Sequence, residues 1–265
     1  MASNLYRSVG AIERGLFLVP DAITSLGLLS GCFSLVSVFD GHLERAAVMV
    51  EVSLVCDALD GLVARASHAA SPFGIEYDSL SDVVAFGVAP ASLVYRWALK
   101  PLGLWGVLVM APFVICAALR LARFNIQAST TGGKRRFVGL PVPGAAAMVA
   151  GLLFVYRSFA LDSPRALCAG MAAITLVLAG LMVSRIPYPA LKFLNFREHA
   201  FEAAIVMLVG VVLLSLAPRL TAFAVAAAYI LSGPILTATG EQIEAGEAGV
   251  RAAAGRRGPA QGSNR

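Results

Sequence analysis

Long apolar segments separated by short polar ones dominate the chain. A helix that crosses a bilayer needs about 20 predominantly apolar residues. None of the segments shows the sustained apolar–polar alternation of a strand. The pattern predicts an all-α integral membrane protein with about eight transmembrane helices, over residues 20–39, 46–64, 74–99, 102–121, 140–156, 166–183, 200–217 and 220–236.

The two ends of the chain differ from this pattern. Residues 5–19 mix Arg7, Glu13 and Arg14 with leucines and aromatic residues, which is typical of an amphipathic helix lying at a membrane interface. The tail is rich in glycine, alanine and arginine, a composition that favours disorder. The predicted organisation is therefore an interfacial segment (1–19), a membrane domain (20–237) and a disordered cytoplasmic tail (238–265).

Composition and charge placement support this architecture. The chain is 58% hydrophobic and 14% charged, with a mean hydropathy of +0.78, whereas soluble domains contain about 25% charged residues. Eight spans place both termini on one side, with 15 of the 21 lysines and arginines; the other side has six. The positive-inside rule makes the richer side cytoplasmic and predicts a multi-pass inner-membrane protein. Because topology accounts for these charges, no nucleic-acid partner is expected.

Four aspartates occupy helical spacings near the predicted cytoplasmic face. Asp57 and Asp60 are three residues apart, and Asp78 and Asp82 are four apart, so each pair shares one face of a helix. A proline and a glycine within residues 67–74 predict a turn between the pairs. We expect a helix, a turn and a second helix that direct four carboxylates into a shared space.

Such a cluster requires compensation in an apolar protein. Each ionised residue at mid-bilayer costs about 2.5–3.5 kcal/mol, so four would cost on the order of 10 kcal/mol before their mutual repulsion is added. A divalent cation bound through carboxylate oxygens offsets both terms. A solvated acidic loop is the alternative interpretation. The spacing, together with nearby glycines and an arginine, favours a metal site.

These aspartates belong to a longer pattern, which reads Asp57-x-x-Asp60-Gly61-x-x-Ala64-Arg65, eight residues, then Gly74-x-x-x-Asp78-x-x-x-Asp82. The pattern resembles the signature of the CDP-alcohol phosphatidyltransferase family at all eight fixed positions. This resemblance implies a homodimeric membrane enzyme that binds Mg²⁺ or Mn²⁺ through Asp57, Asp60, Asp78 and Asp82, with Asp82 also acting as general base.

A site for CDP-diacylglycerol is also implied by the resemblance. Glycines let the backbone approach a bulky diphosphate, and the guanidinium of Arg65 forks onto phosphate oxygens. Snorkelling to the membrane surface is the alternative role for Arg65, and a local helix cap is the alternative for Ser71. The expected binding residues are Asp21, Thr24, Asp60, Gly61, Arg65, Ser71 and Gly74.

Three further segments, 119–125, 137–143 and 184–192, resemble the bacterial phosphatidylserine synthase branch of the family. They imply transfer of the phosphatidyl group from CDP-diacylglycerol to L-serine, with membrane lipids as the surroundings. Serine's carboxylate needs a cation, for which the candidates are Arg120, Arg123, Lys134 and Arg185; positive-inside loop charge is their alternative role.

Two other functions are the alternatives to transfer to serine. The same chemistry could use glycerol 3-phosphate or an inositol phosphate, although a phosphorylated acceptor calls for a denser basic pocket. A cation transporter would instead place acids at several depths along its path. Here all four acids cluster at one end of two adjacent predicted spans.

Overall fold

The computed structural model describes residues 2–66, 71–130, 138–159, 164–188 and 218–238. Across these ranges the protein is all-helical, as predicted, and its β-structure is limited to an isolated bridge between Val138 and Pro187. Two π-helical segments, Val83–Val88 and Tyr95–Leu99, and a 3₁₀ turn, Lys100–Leu102, lie in the third apolar region. The α-helices are α1 (Ala2–Phe39), α2 (Leu43–Ala66), α3 (Pro72–Asp82), α4 (Ala89–Val94), α5 (Leu104–Thr130), α6 (Val142–Phe159), α7 (Pro164–Val183) and α8 (Pro218–Ala238).

Three of the described helical segments are long and apolar enough to cross a membrane: Val19–Phe39, Leu104–Gln127 and Pro164–Val183. Two shorter apolar helices, Val142–Arg157 and Phe223–Ile235, accompany them. These helices support a membrane protein, but the total of eight spans is not confirmed. The predicted seventh span, residues 200–217, and the predicted tail lie outside the described residues.

The first helix runs without interruption from Ala2 to Phe39. The sequence predicted that the first span opens at Pro20, and the membrane-crossing segment of this helix begins at Val19; the helix itself starts earlier, so Pro20 lies inside it. Proline removes one backbone donor from a helix, yet α1 continues through this position. The interfacial, amphipathic role of the residues before Pro20 stays a prediction.

The pair formed by α1 and α2 is the most extensive helix contact among the described elements. A turn at Gly41, with φ of 81°, reverses the chain between them. In a bilayer, polar groups must find partners within the protein, and three serine hydroxyls do so across this interface. They donate from Ser30 to the Met49 carbonyl (2.7 Å), from Ser34 to the Ala46 carbonyl (2.9 Å) and from Ser53 to the Gly27 carbonyl (2.9 Å).

The third apolar region packs against α1 immediately after Asp82, the last residue of α3. Gly31 permits this approach, because a Cβ at that position would lie 2.8 Å from the Cα of Ala85. Ala85 belongs to the π-helical segment Val83–Val88, and such segments occur frequently at functional sites. The close contact fixes the end of α3 against the α1–α2 pair, and it thereby positions Asp82.

Candidate active site

Three of the four predicted aspartates come together between α2 and α3. One carboxylate oxygen from each of Asp57, Asp60 and Asp78 lies within 4.8 Å of the others. Asp60 is 6% exposed, and the other two are half-buried. The i, i+3 spacing places Asp57 and Asp60 on one face of α2, and α3 brings Asp78 to the same place. Carboxylate oxygens are the donors that hard divalent cations prefer, so the residues present fit the expected metal.

Asp82 lies in the same space but outside that three-carboxylate cluster. It is 8% exposed, and it lines a chamber of about 10 Å³ together with the other three aspartates. Like-charge repulsion from those aspartates acts on Asp82, and the Arg120 guanidinium attracts it. The structure thus places Asp82 beside the candidate ligands, while its roles as ligand and base stay predictions.

Thr24 links α1 to the cluster. Its hydroxyl donates a hydrogen bond of 2.6 Å to Oδ2 of Asp60, and the side chain is 6% exposed. Hydrogen bonds of this kind orient a metal-ligating side chain and tune its affinity. The resemblance assigned Thr24 to the nucleotide. Nothing in the sequence pairs residue 24 with residue 60, so the contact with Asp60 was not predicted.

A cavity of about 100 Å³ adjoins the aspartates. Six of the seven residues predicted to bind CDP-diacylglycerol line it; the seventh is Arg65, whose side chain lies outside the described residues. The structure therefore brings distant parts of the predicted nucleotide site to one place. The lining residues are Pro20, Asp21, Thr24, Asp60, Gly61, Ala64, Ser71, Gly74, Ile75 and Asp78.

The start of α3 shows why two of these positions are small. Ser71 caps the helix, as its alternative interpretation predicted, and its hydroxyl oxygen accepts the Gly74 N–H at 2.8 Å. A Cβ at residue 74 would lie 2.9 Å from Oδ1 of Asp21. Glycine therefore lets the carboxylate of α1 reach the first turn of α3 and form one wall of the cavity.

Of the four predicted acceptor cations, the structure brings Arg120 to Asp82. Arg120 lies on α5, and its buried Nε has no hydrogen-bond partner among the described residues. Arg123, one turn further along the helix, is half-buried, and Arg185 is exposed in the segment after α7. Lys134 lies outside the described residues.

Two further side chains near the site were missed by sequence reasoning. Nδ2 of Asn125 donates to Oε2 of Glu76 at 3.2 Å and to Oγ of Ser79 at 3.0 Å, which ties α5 to α3. Asn125 lies within the 119–125 segment that resembles the serine-using branch, so this resemblance could have identified Asn125 as a residue of the site. Tyr229 on α8 interacts electrostatically with Arg120, and no local motif marks it.

The fold and the site define a class: a helical membrane protein with clustered carboxylates beside a polar cavity at the end of a helix pair. The chain belongs to the CDP-alcohol phosphatidyltransferase family, because the sequence profile of that family matches residues 17–186. The matched region contains all eight signature positions. The resemblance seen in the sequence is thereby confirmed.

Several curated proteins named CDP-diacylglycerol–serine O-phosphatidyltransferase are similar to this chain. The Helicobacter pylori (strain J99) protein is 38% identical over 196 residues, 73% of this chain and 81% of that protein. The Bacillus subtilis (strain 168) protein is 35% identical over 184 residues, covering 69% of this chain and 94% of that protein. The Methanocaldococcus jannaschii protein is 35% identical over 176 residues, with coverage of 66% and 76%.

Proposed function

We propose that this protein transfers the phosphatidyl group of CDP-diacylglycerol to L-serine, forming phosphatidylserine and CMP. The observation that carries the proposal is the convergence of the Asp57, Asp60 and Asp78 carboxylates beside a polar cavity. Membership of the family and the printed names of the relatives support the same reaction. The protein is accordingly a transferase of phospholipid synthesis.

The site suits a divalent cation, which we propose is Mg²⁺ or Mn²⁺. Its candidate ligands are Asp57, Asp60 and Asp78, with Asp82 alongside, and all of them offer hard oxygen donors. When bound, such an ion neutralises negative charge on the diphosphate and on the departing CMP. Thr24 contributes by holding Oδ2 of Asp60 in one orientation.

We assign the adjoining cavity to the CDP part of the substrate. Asp21 and Ser71 provide polar atoms on its walls. Because Gly61 and Gly74 have no side chains, a diphosphate can approach the backbone closely at these positions. Arg65 follows Gly61 by four residues on α2, one helical turn, and is the proposed phosphate-binding cation of this group. The acyl chains of the substrate then lie against the apolar faces of the bundle.

Asp82 is the proposed general base. It accepts the proton of the serine hydroxyl as the serine oxygen forms a bond to the phosphorus of the phosphatidyl group. The bond from that phosphorus to the bridging diphosphate oxygen breaks, and CMP leaves with the electron pair. Positioned proton transfer of this kind contributes about 10²–10⁴-fold to a rate.

Arg120 is the favoured partner for the serine carboxylate, because it lies beside Asp82, where the serine hydroxyl has to be. Arg123, Lys134 and Arg185 stay candidates from the sequence. Another acceptor, such as glycerol 3-phosphate or an inositol phosphate, would bring a second dianionic group to the site. Among the described side chains, Arg120 is the cation shown to act on Asp82, which favours an acceptor with one carboxylate.

The charge asymmetry supports an inner-membrane location with the site facing the cytoplasm. A single cysteine introduced as Ala253→Cys, in a background without the four native cysteines, tests this orientation. Labelling of intact cells by an impermeant thiol reagent at that position would contradict it. A homodimer, implied by the family resemblance, is tested by cross-linking in native membranes.

Release of CMP from CDP-diacylglycerol with a panel of alcohols tests the proposed reaction. We expect release that depends on L-serine, with Asp82→Asn as the control of strongly reduced activity. A higher rate with glycerol 3-phosphate or an inositol phosphate would overturn the acceptor assignment. If none of the alcohols raised CMP release above that control, the proposed reaction would be wrong.

A further inference from the structure

Arg120, which lies near Asp82, has an aromatic ring and a tyrosine phenol among its neighbours. Its guanidinium carbon lies 5.8 Å from the centroid of the Phe124 ring, one turn along α5. Its buried Nε lacks a hydrogen-bond partner among the described residues. Asp82 attracts its charge, and Tyr229 lies near enough to interact with it electrostatically. The guanidinium is therefore close to both the proposed base and a phenol from the last described helix.

Tyr229 is itself fixed in place by packing on two sides. Its ring centroid lies 5.7 Å from that of Tyr188. A Cβ on Gly144 of α6 would be 3.7 Å from its Cδ1 atom, so α6 passes close to the ring. Tyr188 in turn packs on Gly233 of α8, where a Cβ would lie 2.6 Å from the Tyr188 ring. These contacts anchor the part of α8 that carries Tyr229, which interacts electrostatically with Arg120.

The segment that contains Tyr188 is anchored as well. The Gly139 N–H donates to the Ile186 carbonyl at 2.8 Å, and Val138 forms a bridge with Pro187. Gly139 has a φ of 85°, and a Cβ there would collide with the Met182 carbonyl oxygen. Two segments that resemble the serine-using branch are thus joined to each other, and through Tyr188 they support Tyr229.

We propose that Tyr229 is a positioning residue that sets the preference for an acceptor with a carboxylate. With serine bound, its phenol oxygen accepts a hydrogen bond from the Arg120 guanidinium, and this contact directs the remaining N–H donors toward the acceptor beside Asp82. A guanidinium has five donors in a rigid planar fork. With one edge held by a phenol, another edge is available for bidentate contact with a carboxylate. The inference rests on the proposed transfer to serine.

Tyr229→Phe tests this role, because it removes the phenol oxygen and leaves the ring against Gly144 and Tyr188. We expect the KM for serine to rise about ten-fold, as for loss of a hydrogen bond to a charged group, with the KM for CDP-diacylglycerol unchanged. Inhibition by ethanolamine, which has the hydroxyl and amine of serine without its carboxylate, should also be unchanged. An unchanged serine KM, or an equal rise in both KM values, would overturn the proposal.

Tyr188→Phe is the matched control. It removes a hydroxyl whose hydrogen bond, to the Ile230 carbonyl at 3.4 Å, lies within the helix packing. We expect the serine KM of this variant to match that of the unaltered protein. If both tyrosine variants raise the serine KM alike, packing of α8 explains the effect and the specific role of Tyr229 is wrong. Thermal unfolding of both variants in detergent shows whether they are folded.

A double-mutant cycle with Arg120→Lys gives the second test. A lysine lacks the planar fork, so the loss of the Tyr229 oxygen should change the serine KM less than two-fold in that background. Independent, multiplicative losses would contradict coupling between the two residues. The alcohol panel tests the proposed function independently of these variants. If that function were wrong, the unaltered protein would not use serine in the panel.

Discussion

The two ends of the α1–α2 pair use polar side chains in opposite ways. At one end, the hydroxyls of Ser30 and Ser34 donate to main-chain carbonyls of α2, so the polar groups satisfy each other within the protein. At the other end, Asp57 and Asp60 meet Asp78 from α3. Ionised carboxylates only accept hydrogen bonds and cannot satisfy one another.

One end of the helix pair thus stabilises the packing of the two helices, and the other end carries the proposed function. Serine hydroxyls that bond to carbonyls hold two helices together in an apolar medium and require nothing from outside. A cluster of carboxylates in the same medium is costly by itself, because the charges repel one another and are poorly solvated, and a bound cation offsets this cost. Substitutions at the two ends should therefore differ in kind as well as in size.

The largest effect is expected from Asp82→Asn, which keeps the size of the side chain and removes its basicity. Turnover should fall by about 10²–10⁴-fold, the usual contribution of positioned proton transfer, while CDP-diacylglycerol still binds. Added Mg²⁺ should not restore the rate, because mass action cannot supply a base. Metal titration of CMP release, with nucleotide affinity measured separately, checks both points.

Asp57→Asn is the matched comparison for that variant, since a weakened ligand set is offset by more metal. We expect its activity to recover in part at high Mg²⁺. Recovery of Asp82→Asn to near the unaltered rate under the same conditions would mean that Asp82 is only a ligand.

Thr24→Val should have the next largest effect, because it removes the 2.6 Å hydrogen bond to Asp60 at nearly constant volume. Loss of such an orienting partner costs about 10–100-fold in metal affinity or activity. The measurement is the Mn²⁺ concentration for half-maximal CMP release. Thr24→Ser, which keeps the hydroxyl, should largely restore it; equal values for the Val and Ser variants would argue against an orienting role.

Gly74→Ala should raise the KM for CDP-diacylglycerol by about ten-fold. The added methyl group would lie 2.9 Å from Oδ1 of Asp21, and overpacking of this kind costs about 1–3 kcal/mol. Gly180→Ala on α7 is the control, since a Cβ there meets no described atom within 4 Å. A substrate KM that is the same for both alanine variants would exclude the cavity from nucleotide binding.

The smallest effect is expected from Ser34→Ala at the structural end of the pair. Hydrogen bonds between helices in membranes contribute on average about 0.6 kcal/mol. Stability in detergent should therefore fall slightly, with the metal requirement unchanged. A shift in the half-maximal metal concentration as large as that of Thr24→Val would remove the distinction between the two ends.

The sequence predicted the convergent aspartates because helical spacing alone determines which side chains share a face. Asp57 and Asp60 share a face of α2, and Asp78 follows on the next helix after a short separation in sequence, so their meeting needs no long-range information. The family resemblance likewise linked Asp21 and Ser71 to the cavity, although it did not provide the contact between Asp21 and Gly74. Their roles in binding stay predictions.

Features that depend on packing between distant helices were not predictable in this way. The approach of Tyr229 to Arg120 depends on how α8 docks against α6 and the segment around Tyr188, which no local pattern reports. The π-helical segment after Asp82 was also missed, because the apolar run of 83–88 fits an ordinary helix equally well. Pro20 marked the start of the first span, which begins at Val19, but it did not reveal that helix α1 extends continuously on both sides of it.

Serine-dependent CMP release after exhaustive dialysis against EDTA is the most direct test of the divalent-metal site. We expect that CDP-diacylglycerol and serine give no CMP above background in the dialysed protein. Addition of Mg²⁺ or Mn²⁺ should restore release, and omission of serine should abolish it again. Full serine-dependent turnover in excess EDTA would contradict a divalent-metal site formed by Asp57, Asp60 and Asp78.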